Sequence, residues 1–142
     1  MTVAKILENR SGELFTCHGD DSVMDAIAML SEKRIGALPV MAGGKVAGIF
    51  SERDVIYCLQ SDGAGVLDTP VSNVMTAPAI TIASDATALS ALSLMSKRRI
   101  RHLPVVEGEK LVGFVSIGDL VKYRIDKIES EAAAMRDYIQ SA

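Results

Sequence analysis

A shift of 65 residues lays Asp20–Ile56 onto Asp85–Val121 without a gap, and 13 of the 37 aligned positions are identical. Average composition would leave about two or three by chance. The identities include Arg34 and Arg99, Leu38-Pro39-Val40 and Leu103-Pro104-Val105, Gly48 and Gly113, Ser51 and Ser116, and Asp54 and Asp119. The chain is an internal duplication, so what one copy folds into the other must fold into as well. Along its length it divides into repeat 1, residues 1–64, and repeat 2, residues 65–142.

Periodicity supplies the elements of one copy. Val23, Ile27, Leu30 and Ile35 mark a helix stripe behind the cap candidates Asp21 and Ser22, and Leu89, Leu92 and Met95 mark its twin behind Ser84, Asp85 and Thr87. A proline then opens a short extended run (Ala37–Met41, His102–Val106), a Gly-containing turn follows, and a second apolar run returns (Val46–Phe50, Leu111–Val115). That pair predicts a hairpin. A Ser opens the next helix, and the apolar stretches Glu13–Cys17 and Ala79–Ile82 predict one further strand per copy. Each repeat is thus strand, helix, strand, strand, helix. The class is α/β (α+β), and two such units can cover each other's bare sheet face to form one core. Gln60–Asp68, polar and Gly-rich, is expected to be the linker. From Ile117 onward the last helix carries Val121, Ile125, Ile128, Ala132, Met135 and Ile139 at alternating steps of four and three. Its front half is expected to pack on repeat 2, and its back half either caps the fold or pairs with another chain.

Composition and missing motifs narrow the chemistry. Fifteen basic against eighteen acidic residues give a net charge of −3, which argues against a nucleic-acid backbone binder, since those carry a basic excess. Aromatic residues are 4% of the chain, too few for base-stacking platforms. There is no G-x-G-x-x-G, P-loop, H-E-x-x-H or C-x-x-C, and Cys17 and Cys58 are too few for a disulfide framework or a thiolate metal site. No nucleophile–base pairing stands out, so no enzyme is expected. No signal-peptide core opens the sequence and no apolar run reaches bilayer length, leaving the cytoplasm as the default location.

Two features remain. Ser51-x-x-Asp54 and Ser116-x-x-Asp119 each stand at a strand-to-helix junction. A capping box explains this spacing fully. A carboxylate there also suits the vicinal hydroxyls of a ribose, and the helix start beside it suits a phosphate. Ahead of the prolines, repeat 2 has Arg101 and His102 where repeat 1 has Gly36 and Ala37. Lys97, Arg98, Arg99, Arg101 and His102 form the densest basic cluster of the chain, read either as a solvated face or as a small phosphate site.

The tandem Ile35-Gly-Ala-Leu-Pro-Val40 with Gly48-Ile-Phe-Ser-Glu-Arg-Asp54, and Ile100-Arg-His-Leu-Pro-Val105 with Gly113-Phe-Val-Ser-Ile-Gly-Asp119, resembles the cystathionine β-synthase (CBS) domain pair, or Bateman module. The resemblance runs from about Val3 to about Lys122 and includes the lead-in Val71–Met75, echoed by Val3–Leu7. It implies two repeats about a pseudo-twofold axis, with packed sheets and two clefts for adenosine-containing ligands. AMP is foremost among these, with ATP, ADP, NAD and S-adenosylmethionine as alternatives. Carried over residue by residue, Ser51 and Asp54 mark one cleft and Ser116 and Asp119 the other. Arg53, Arg101 and His102 would meet phosphate, and Ile35, Gly36, Ala37, Pro39, Ile100 and Pro104 would line the adenine side. Gly118 replaces Arg53 in repeat 2, so unequal sites are expected. No catalytic cofactor or metal is implied. The resemblance also implies a homodimer that passes ligand occupancy to a regulated partner protein, with neither nucleic acid nor membrane involved. The competing class is a structural dimerisation adaptor whose Ser-x-x-Asp pairs only cap helices. Nucleotide hydrolysis has the least support.

Overall fold

The computed structural model describes residues 1–10 and 13–141. The elements are α1 (Val3–Glu8), β1 (Cys17–His18), α2 (Val23–Lys33), β2 (Ala37–Ala42), β3 (Lys45–Ser51) and α3 (Glu52–Asp62), then β4 (Ile82–Ala83), α4 (Ala88–Arg98), β5 (His102–Glu107), β6 (Lys110–Ser116) and α5 (Ile117–Ser141). Each repeat holds a three-stranded sheet, β1-β2-β3 or β4-β5-β6. In both, the first pair is parallel and the second is an antiparallel hairpin with a bulge at the same place, Val40/Met41 or Val105/Val106. Ser22 and Thr87 cap α2 and α4 by accepting the amides of Asp25 and Ser90, each satisfying one of the free N–H groups of a first turn.

Several sequence expectations need correction. The predicted first strands are two residues each, Cys17–His18 and Ile82–Ala83, and ahead of the first of them Glu13, Leu14 and Phe15 line a cavity instead. Ile35 falls beyond α2, which Arg34 ends in a left-handed conformation. Leu89 is exposed because α4 begins at Ala88, and the face at spacings of three and four from there is Ala88, Ala91, Leu92 and Met95. Gln60–Asp68 is no free linker: Gln60–Asp62 closes α3, and Ala64–Asp68 is a 3-10 turn that buries Val66 in the core of repeat 1. In the front half of α5 the packed residues are Leu120 and Tyr123, while Val121 and Ile125 face outward.

Buried side chains form two clusters, one per repeat, in place of the single core expected. The repeats are locked together by exchange of their lead-ins. Val3 and Ile6 of α1 are buried in the core of repeat 2, and Val71 is buried in that of repeat 1 with Val74 and Met75 against it. The exchange is reciprocal in detail. Val3 N donates to Ala86 O and Val71 N to Asp21 O, both at 2.8 Å. Bridges join Thr2 to Thr87 and Ser22 to Pro70. Burying a Val-sized side chain stabilises by about 1.5–3 kcal/mol, so each lead-in fastens one repeat to the other. The repeats also touch directly between β3 and β6, and among the described residues two cavities are lined by both of them.

Candidate functional site

Both cavities are built crosswise. The larger, about 710 Å³, takes Ser51, Glu52, Arg53 and Asp54 from the start of α3 and faces them with Arg98, Arg99, Ile100, Arg101 and His102 from the α4–β5 turn. Backbone bonds shape each half separately: Glu52 N donates to Gly36 O and Ile117 N to Arg101 O, so each helix start is tied to the segment ahead of its own repeat's proline. Ile49, Ile56, Tyr57 and Thr76 complete the wall.

Asp54 is the hub of this cleft. Its Oδ2 accepts the Ser51 amide at 2.9 Å and the Ser51 hydroxyl at 3.1 Å, a capping box with Ser51 Oγ accepting Asp54 N. Its Oδ1 accepts Thr76 Oγ1–H at 2.9 Å. A carboxylate offers about four acceptor positions, so Oδ1 keeps one, and the Ser51 and Thr76 hydroxyls are rotors able to turn toward another oxygen. Among the described residues, none of the cleft's four arginines takes part in an ion pair. Four guanidiniums against Glu52 and Asp54 give the cleft a positive excess within an acidic chain, the condition for holding an anion.

The smaller cavity, about 300 Å³, joins Ile35, Gly36 and Ala37 of repeat 1 to Phe114 and Ser116 of repeat 2, with Leu7, Arg10, Leu14 and Phe15 closing it. Ser116 N donates to Asp119 Oδ2 at 2.8 Å and Asp119 N to Ser116 Oγ at 3.1 Å, the same reciprocal cap as in repeat 1. Asp119 itself does not line the cavity. Arg10 reaches it first, with Nη1 3.2 Å from Oδ2, and also donates to the Phe114 carbonyl.

His102 lines both cavities and stacks on Phe114, with ring centroids 5.4 Å apart and planes 12° from parallel. Burial holds its imidazole below the usual range, opposed by Asp119 and Glu52 and reinforced by Arg101 and Arg10. Pro39 and Pro104 are buried and line neither cavity, because each sits inside its strand opposite Ile49 or Phe114. Thr76 and Arg10 are the residues that sequence reasoning missed. Neither lies near a Ser-x-x-Asp pair in the chain, and both arrive through the exchanged lead-ins. Burial raises the Cys17 thiol to about 11, with Asp21 adding to the shift, and Cys58 is raised as well. Both cysteines therefore pack as apolar groups. Among the described residues no cluster of three or more His, Cys, Asp or Glu is placed to hold a metal ion, and no helix is long and apolar enough to cross a membrane.

The fold has close counterparts among known proteins. The chain is 32% identical over 148 residues to the CBS domain-containing protein CBSX3, mitochondrial, of Arabidopsis thaliana, covering 98% of this chain and 72% of that protein. A solved structure of a protein with CBS domains from Burkholderia ambifaria superposes with a TM-score of 0.81 at 40% identity, covering 89% of this chain and 95% of that one. The CBS domain pair of MJ0100, solved with 5′-methylthioadenosine and S-adenosyl-L-methionine, gives 0.78 at 27% identity, covering 89% and 98%. CBSX2, solved with AMP, gives 0.74 at 26%, covering 88% and 96%. The CBS domain itself matches twice, at residues 3–61 and 71–126. With the duplication, the two sheets and both matches in register, the chain belongs to the CBS domain family.

Proposed function

We propose that the larger cleft binds an adenosine phosphate and that the chain is a non-enzymatic regulatory module, a homodimer passing occupancy of that cleft to a partner protein. One observation carries the reading: Asp54, with an acceptor position to spare, shares a cavity with four guanidiniums that are in no ion pair among the described residues. Asp54 would take the ribose hydroxyls. The N-terminus of α3 with Arg53, Arg98, Arg99 and Arg101 would take the phosphates, and Ile49, Ile56, Tyr57 and Ile100 would flank the base. The ligands bound in the MJ0100 and CBSX2 structures all contain adenosine, which supports the class. The arginines favour its anionic members, AMP, ADP, ATP or NAD, over S-adenosylmethionine with its cationic sulfonium and ammonium. Signalling requires that ligand bind one arrangement of the two repeats better than another.

A second reading has its own support, since both Ser-x-x-Asp pairs form reciprocal caps. On that reading the chain is a structural adaptor and the acids only hold helix starts. Calorimetry with AMP, ADP, ATP, NAD and S-adenosylmethionine separates the two. The sensor reading expects binding of at least one phosphorylated ligand, at least tenfold tighter than S-adenosylmethionine and lost in both Asp54→Ala and Arg101→Ala. No binding by the native chain, or binding unchanged in Asp54→Ala, overturns it. The adaptor reading expects Asp54→Ala to cost about 1 kcal/mol of stability, as the loss of a cap does, with no ligand response to lose.

A further inference from the structure

Helix α5 runs 25 residues, and from Arg124 to Ser141 every one of them is exposed. The CBS domain match ends at residue 126, so most of this arm lies beyond it. The arm is not polar all round. Ile125, Ile128, Met135 and Ile139 are 49%, 51%, 60% and 65% exposed and lie with Val121 and Ala132 on one seam. At 100° per residue that seam sits roughly 130° around the helix from Leu120 and Tyr123, the residues that hold α5 to its own repeat. Most helical stability in proteins comes from packing an apolar face and not from propensity, and a continuous exposed apolar seam marks a surface that another covers.

We propose that the seam is covered by α5 of a second copy, as a parallel, in-register, two-stranded coiled coil; this rests on the homodimer reading above and names the element that makes it. The charges flanking the seam choose both occupant and direction. In heptad terms Ile125, Ala132 and Ile139 stand at a and Val121, Ile128 and Met135 at d, so Lys122, Glu129 and Arg136 fall at e and Arg124 and Glu131 at g. In parallel register each g faces the partner's e five residues on. Arg124 then meets Glu129 and Glu131 meets Arg136, twice per dimer and always with opposite sign, while all six apolar layers are covered. Antiparallel with the same full overlap, Glu129 and Glu131 each meet their own copies and Lys122 meets Arg136, all like charges. An antiparallel overlap that pairs Lys122 with Glu129 and Arg124 with Glu131 reaches only from Val121 to Ala132 and leaves Met135 and Ile139 bare.

The test uses the full chain. Ile128→Cys, oxidised with diamide, is expected to give a covalent dimer, since d positions meet across a parallel dimer; the native chain is the control, because Cys17 and Cys58 are buried. Arg136→Glu turns attraction into repulsion on both sides of the seam and is expected to weaken self-association about tenfold by sedimentation equilibrium. Adding Glu131→Arg is expected to restore it. The short antiparallel overlap reverses these results, with Arg136→Glu silent and the double variant weaker, and so overturns the proposal. All these side chains are exposed, so the variants keep the fold. A chain that stays dimeric with Ile128→Glu and Met135→Glu combined overturns the coiled coil and leaves the dimer reading standing. A native chain that is monomeric at tens of micromolar overturns both.

Discussion

Arg34 and Arg99 end their helices in the left-handed conformation, with φ of 52° and 54°. Glycine is the usual residue there, because a side chain in that region costs roughly 1–2 kcal/mol. The duplication copied the strained arginine into both repeats, yet only Arg99 reaches a cavity. The two positions therefore separate strain from function. Arg34→Gly and Arg99→Gly are each expected to raise stability by about 0.5–1 kcal/mol, the relief being partly offset by the greater freedom of the unfolded glycine chain. A few degrees in melting temperature would show it. Only Arg99→Gly is expected to weaken adenosine phosphate binding, by roughly tenfold for one lost charged hydrogen bond. Equal affinity losses in the two variants would mean that the turn, and not the guanidinium, serves the ligand.

At the scale of elements, the lead-ins set the rigidity of the clefts. Each passes over a glycine of the opposite hairpin, but what it lays there differs. A Cβ on Gly48 would stand 2.7 Å from the Thr76 carbonyl oxygen and 2.8 Å from Met75 Sδ, whereas one on Gly113 would meet the methyl groups of Leu7, the nearest at 2.5 Å. The Thr76 backbone is pinned by two 2.9 Å bonds to Ile49 and cannot give way, while a leucine tip can turn aside. Gly48→Ala is expected to cost about 2–3 kcal/mol in urea unfolding and Gly113→Ala about 1 kcal/mol, within the usual range for overpacking. Gly48→Ala would also draw Thr76 off Asp54. The reverse order of costs would show that the two lead-ins are held alike. These contacts explain what the sequence concealed. The helices and hairpins were legible because each is local and periodic and occurs twice. Val3 and Val71 correspond at a spacing of 68 residues, not 65, and their partners Ala86 and Asp21 belong to the other repeat, so no local window contains the exchange. The site divides the same way: Ser51 and Asp54 announce themselves by a copied spacing, whereas Thr76 reaches Asp54 from 22 residues away through its bridge to Ile49.

For the whole molecule, the decisive asymmetry is what meets each motif acid. Asp54 meets the neutral hydroxyl of Thr76 and opens onto a cavity of about 710 Å³, while Asp119 meets Arg10 and lies behind a cavity of about 300 Å³. The cause lies in the lead-ins again, for at the 68-residue spacing the counterpart of Arg10 is Pro78, which has no charge to offer. A ligand hydroxyl approaching Asp119 would compete with a guanidinium already in place. One equivalent of adenosine phosphate per chain is therefore expected from calorimetry, abolished by Asp54→Ala and unaffected by Asp119→Ala. The Arg10–Asp119 pair is partly exposed, so its removal is expected to change stability by no more than about 1 kcal/mol. Arg10→Ala should nonetheless raise the stoichiometry toward two by freeing Asp119. Two equal sites in the native chain would show that Arg10 yields readily to ligand. One site in both the native chain and Arg10→Ala would show that the volume of the smaller cavity, and not the ion pair, keeps it empty.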